Sequence, residues 1–105
     1  KLMAIKNKTK AEKNHLSKVA DFGCIACRKI GFEDTPAEIH HIRDGVGMAQ
    51  RASHFEVIPL CTGHHRRDDN SIHRSKLRFE SEFGTERELL AELLHEIGYK
   101  TVISK

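Results

Sequence analysis

No stretch of this chain is apolar for long enough to cross a bilayer, and its first ten residues, KLMAIKNKTK, have no apolar block of the kind a secretory signal carries. The expectation is a soluble, cytoplasmic protein with no membrane partner. Aromatic residues are scarce, 6% of 105, and apolar residues reach only 38%, so one small domain must fold around a lean core. Cysteine is scarce too. Three cysteines are an odd number, which a framework made only of disulfides would not use, so thiolate ligands in a reducing compartment fit better. Internal repeats and low-complexity tracts are missing as well.

Charge is unevenly spread. The formal net charge is only +3, yet Lys1, Lys6, Lys8, Lys10, Lys13 and Lys18 face a single early acid, Glu12. Arg28, Lys29, Arg43, Arg51, Arg66, Arg67, Arg74, Lys76 and Arg78 follow, while eight of the fifteen acids lie between Asp68 and Glu96. Such asymmetry suits one face meeting a polyanion, with Lys6, Lys8, Lys10, Lys13, Arg43, Arg51, Arg66 and Arg67 as candidate nucleic-acid contacts. Residues 1–9 read as a basic arm, and 10–105 as the folded domain.

Periodicity predicts a helix from Thr9 to Phe22, with Leu16, Val19 and Ala20 on one face and Gly23 at its end. A loop over 28–36 leads to a short strand, Ala37 to Ile42, and Asp44-Gly45-Val46-Gly47 has turn chemistry. A second strand is expected from Phe55 to Leu60, a short helix from about Thr62, and another from Ser75 to Phe83 before Gly84. The clearest element is the last helix: Thr85 and Glu88 form a capping box, Leu89, Leu90, Leu93, Leu94 and Ile97 a stripe, and Gly98 the stop. The fold class is therefore α+β.

Two ligand pairs of equal spacing stand out, Cys24-x-x-Cys27 and Cys61-x-x-His64. Each brings two donors within a few ångströms, so together they can close a Cys3His tetrahedron around Zn²⁺ and staple the small core. A redox dithiol at Cys24 and Cys27 is the competing reading. With His64 committed to the cage, His65 becomes available to a second ion, as does His40. His41 leaves the strand on the opposite face from His40, which suits a base beside the metal. The third ligand is either Asp69, one helical turn after His65, or His73, which reaches only if the Asp68-Asp69-Asn70-Ser71 run folds the chain back. His15 and His95 read as ordinary hydrogen-bonded histidines.

Taken together, EIHHI, VIPLC-x-x-HH and SIH resemble the HNH endonuclease superfamily with its ββα-metal core. GCIACRKIGF, AEIHHIRDGVGMAQRASH and IPLCTGHHR more closely resemble the phage recombination enhancement family of RecA-dependent nucleases. The resemblance implies a zinc-stapled domain with a ββα-metal core and flanking helices, working as a metal-dependent DNA endonuclease beside a RecA-type recombinase filament. If the chain is phage-encoded, it would work in the bacterial host cytoplasm. The resemblance also implies that His41 is the general base, that His40, His65 and His73 hold a catalytic Mg²⁺ or Zn²⁺, and that Cys24, Cys27, Cys61 and His64 hold structural zinc. One departure is visible: five residues before Cys61, where many HNH proteins carry asparagine, stands Glu56, with His54 the nearby polar alternative. A non-catalytic zinc module that binds DNA or the recombinase is the alternative function.

Overall fold

The computed structural model describes residues 8–43 and 53–98. Lys6, Arg51, the Asp44–Gly47 turn and most of the basic arm lie outside those residues. Helix α1, Lys10–Phe22, starts at a reciprocal cap, in which Glu12 N donates to Thr9 Oγ1 (3.1 Å) and Thr9 N donates to Glu12 Oε1 (2.8 Å). Its buried face carries His15 and Val19, with Leu16 partly buried, whereas Ala20 is exposed and so departs from the expected stripe. Gly23 ends the helix at φ 85°, where an added Cβ would sit 3.2 Å from Thr35 O; the close approach lets Cys24 N donate to that carbonyl.

Helix α2, Ile25–Lys29, is a single turn in a region that reads in sequence only as a tight turn and a loop. Its cap is the Cys24 sulfur, which accepts from Cys27 N at 3.3 Å, and sulfur is too rare at this position for the pattern to announce a helix.

Strands β1, Glu38–His41, and β2, Val57–Leu60, pair antiparallel with His40 opposite Ile58 and His41 opposite Val57. Both are shorter than expected. Phe55, expected to begin the second strand, lies before it, is 41% exposed, and its ring lies 5.3 Å from that of His15. Ile42 N donates to Glu56 O, so alternation along the ladder makes Ile39 and Pro59 a non-hydrogen-bonded pair. Pro59 therefore costs the ladder no donor.

All of β2 is buried, and α1, α2 and helix α4, Glu86–Glu96, pack on it. Val19, Val57, Ile58, Leu60, Leu89 and Leu93, with Phe79 of helix α3, Lys76–Phe83, form the centre, each contributing about 1.5–3 kcal/mol by leaving water. Among the described residues the result is a small α+β unit of one two-stranded sheet and four α-helices. No helix among the described residues is long and apolar enough to cross a membrane.

Candidate metal centres and active site

After β2 the chain enters a wide, π-type turn over Gly63–Arg67 rather than a regular helix. It then doubles back: Ser71 N donates to Asp68 O, Ile72 N to His64 O at 2.8 Å, and His73 N to His65 O at 3.1 Å. This fold-back lays residues 72 and 73 beside 64 and 65. Both clusters that could hold a metal ion are built on it, one on each of the adjacent histidines.

The first cluster joins Cys24 and Cys27 from the start of α2 to Cys61 and His64 at the end of β2. His64 Nδ1 lies 3.3 Å from Cys61 Sγ, 3.6 Å from Cys27 Sγ and 3.7 Å from Cys24 Sγ, and Cys27 and Cys61 sulfurs are 3.8 Å apart. Ligands at zinc distances on a tetrahedron are separated by roughly 3.5–3.8 Å, a range that includes three of these separations, with the His64–Cys61 contact slightly shorter. All three thiols are free, and 3.8 Å is far beyond a disulfide bond. Burial pushes the Cys24 thiol up to about 12, the opposite of the low-pKa thiolate a redox dithiol needs. Phe83 closes the cage from one side, its ring 4.9 Å from that of His64 in an edge-on contact.

The second cluster brings together His40 from β1, His65 from the π-type turn and His73 from the fold-back. His65 Nε2 and His73 Nε2 are 3.1 Å apart, inside the roughly 2.9–3.4 Å expected for two imidazole nitrogens on one divalent ion, whether octahedral or tetrahedral. The His40 ring is 5.1 Å from each of the other two rings. Asp69 is not in the group: its side chain is 79% exposed and faces Arg74 at 3.7 Å. The early end of the turn explains this: it stops at Arg67 and Asp68 is extended at ψ 162°, so Asp69 no longer shares a helical face with His65.

Carboxylates hold two of these imidazoles from behind. Glu38, two residues before His40 on the same strand face, accepts from His65 Nδ1 at 2.7 Å. It also accepts from Arg66 Nε and Nη2 (3.0 and 2.8 Å) and from Thr62 Oγ1 (2.9 Å). The Arg66 fork, then His65 and Thr62, hold the Glu38 carboxyl well below the usual carboxylate range. Glu86, at the start of α4, meets His40 Nε2 at 2.6 Å with both side chains only 4% exposed. Neither glutamate was singled out by sequence reasoning. The period-2 strand pattern could have found Glu38, but Glu86 stands 46 positions from its partner with no local signal.

His41 faces the other side of β1, where its Nε2 lies 3.0 Å from His54 Nδ1. Burial, then the neighbouring His54, His40 and Lys8, lower its pKa, so it is neutral at pH 7. Glu56 is turned elsewhere, to Arg87 at 3.1 Å. Among the candidate nucleic-acid contacts, Lys8, Lys10, Lys13 and Arg43 are exposed, whereas Arg66 is engaged by Glu38 and Arg67 by Asp68 at 2.9 Å.

No curated protein is a match for this chain. Residues 8–97, which span both clusters and the sheet between them, match the family described as recombination enhancement, RecA-dependent nuclease. The chain thus belongs to that family of nucleases, whose described role is in recombination.

Proposed function

We propose that this protein is an HNH-type, metal-dependent DNA endonuclease with a ββα-metal core, cutting phosphodiester bonds in DNA engaged by a RecA-type recombinase. The observation that carries the reading is the convergence of His40, His65 and His73 on one point, with His41 the next residue along the strand from His40. In this reading the Cys24, Cys27, Cys61 and His64 cage holds structural zinc, and its chemistry fits the donor set. A divalent ion, Mg²⁺ or Zn²⁺, bound by the three histidines would stabilise the charge that builds on phosphate oxygens during cleavage.

The residues of the chain supply the proton chemistry. A neutral His41 can take a proton from water at Nδ1 when its hydrogen is on Nε2, and in this reading that hydrogen points at His54 Nδ1, 3.0 Å away. His54 would thus hold the ring orientation of the base, the task an asparagine performs in many HNH proteins. Glu56, paired to Arg87, takes no part. In this reading the exposed Lys8, Lys10, Lys13 and Arg43, together with Lys6 and Arg51, hold the DNA backbone, a contribution that weakens with salt. A basic arm over residues 1–9 and a nuclease domain over 10–105 complete the proposal, together with action in the bacterial cytoplasm, where recombinase filaments form.

The test is plasmid cleavage with recombinase, nucleotide and each divalent ion supplied. His41→Ala should retain fold and metal content while losing about 10²–10⁴ in rate. Cleavage at the wild-type rate by this variant removes His41 as the base. Complete inactivity of the wild-type protein, combined with two chelation-resistant zincs, would favour a non-catalytic module that binds DNA or the recombinase.

A further inference from the structure

Behind the second cluster lies a buried carboxylate with a defined chemical consequence. Glu86 is 3% exposed, and its Oε2 is 2.6 Å from His40 Nε2. A carboxylate only accepts hydrogen bonds, so the hydrogen of a neutral His40 is confined to Nε2 and its lone pair to Nδ1. On the other flank, Glu38 confines the hydrogen of His65 to Nδ1 and its lone pair to Nε2. Lys76 Nζ, 3.8 Å from Glu86 Oε1, and the N-terminus of α4, where Glu86 is the first residue, both favour the ionised carboxylate.

Resting on the metal-site reading above, we infer that Glu86 is a positioning residue that makes His40 a metal ligand through Nδ1, while Glu38 makes His65 a ligand through Nε2. The cluster would then coordinate through mixed imidazole nitrogens set by its carboxylates. This gives α4, which contributes no ligand, a hold on the ion through His40. Outer carboxylates of this kind typically alter metal affinity by about 10–100-fold.

Glu86→Gln is nearly isosteric, but an amide can accept from Nε2–H or donate to an unprotonated Nε2, so it no longer selects one tautomer. The experiment combines nitrogen-15 NMR of the histidine side chains with Co²⁺ titration of full-length protein whose cysteine cage already holds zinc. The wild type should show His40 as the Nε2–H tautomer before cobalt is added. Glu86→Gln should show mixed tautomers and bind Co²⁺ about 10–100-fold more weakly, with Glu86→Asp recovering part of the loss. A wild-type dissociation constant together with a pure Nε2–H tautomer in Glu86→Gln overturns the inference. So does an Nδ1–H tautomer in the wild type, a measurement that holds even if the variant fails to fold. Tautomer selection and cobalt binding that depend on Glu86, in a protein that never cuts DNA, support this inference and sink the nuclease reading alone.

Discussion

The two clusters share adjacent residues, His64 and His65, yet their surroundings are opposite. The cysteine cage is closed: Cys24 is fully buried, Cys27 nearly so, Phe83 covers His64, and the donors tie α2 to the end of β2. The histidine cluster is open on one side, with His73 exposed and His65 at 13% side-chain exposure, and it is backed by charged partners rather than by apolar ones. Sulfur-rich, buried coordination suits an ion that never leaves, because thiolates bind tightly and cannot be solvated once the metal is gone. Imidazole coordination at an open edge leaves room for a substrate oxygen. On the proposed function, the contrast would separate what holds the domain together from what the domain does.

The sharpest way to break that contrast is to remove one ligand from each side. Cys24→Ser should abolish cooperative folding, since structural zinc contributes about 10–16 kcal/mol in small zinc domains and this core is lean. Circular dichroism and thermal melting would report it. His73→Ala, by contrast, should leave the melting curve within about 1 kcal/mol while removing the exchangeable ion, read by metal analysis after mild chelation. Equal unfolding in both variants would mean that the histidine cluster is a second structural site. Retention of a cooperative fold by Cys24→Ser would end the staple argument.

Proton competition gives a second, smaller contrast. Zinc binding to the cage displaces thiol protons, including one from Cys24, whose burial pushes it up to about 12, so cage affinity should climb with pH between roughly 7 and 9. His73 is shifted the other way, downward, by burial and then by His65 and His40. Its metal-binding neutral form therefore persists to lower pH than that of an ordinary imidazole, so the His73 contribution to affinity should be lost only as pH falls below about 6.5. Stability follows the same sign at His15 and His41, both lowered chiefly by burial. As pH drops through about 6.5 the unfolded chain takes up protons that the folded chain resists, so stability is lost toward acid. Metal titrations at three pH values, together with denaturant melts, would check both curves; parallel pH slopes at the two sites would contradict the assignment of thiolate and imidazole roles.

Much of this organisation is legible in residue order. The ligand pairs, the α4 capping box and the alternation that sends His40 and His41 to opposite faces all depend on spacings of four residues or fewer, which pattern captures. What escapes is set by distant partners. Glu86 and His40 meet only because α4 packs on β2, and His54 reaches His41 only because of the sheet register. Between these extremes lies the choice of His73 over Asp69, where a Gly-initiated π-type turn replaces the regular helix that a four-residue spacing assumes.

The finest contrast uses two caps of the same chemistry. Thr9 and Thr85 each accept from a backbone amide three residues on, at 3.1 Å, in reciprocal boxes with Glu12 and Glu88. Replacing either with alanine should cost about 1 kcal/mol, seen as a similar shift in denaturant midpoint. Their effects on metal should nevertheless differ, because only Thr85 anchors the turn whose first residue, Glu86, holds His40. Thr85→Ala should weaken Co²⁺ binding at the histidine cluster several-fold, whereas Thr9→Ala, on a helix that supplies no ligand, should leave it unchanged. If both variants lose stability equally and neither changes cobalt affinity, fraying of the α4 start does not reach the metal. The coupling between that helix and the open cluster would then have to lie in the packing of Leu89 and Leu93 against the core rather than in the Glu86 carboxylate.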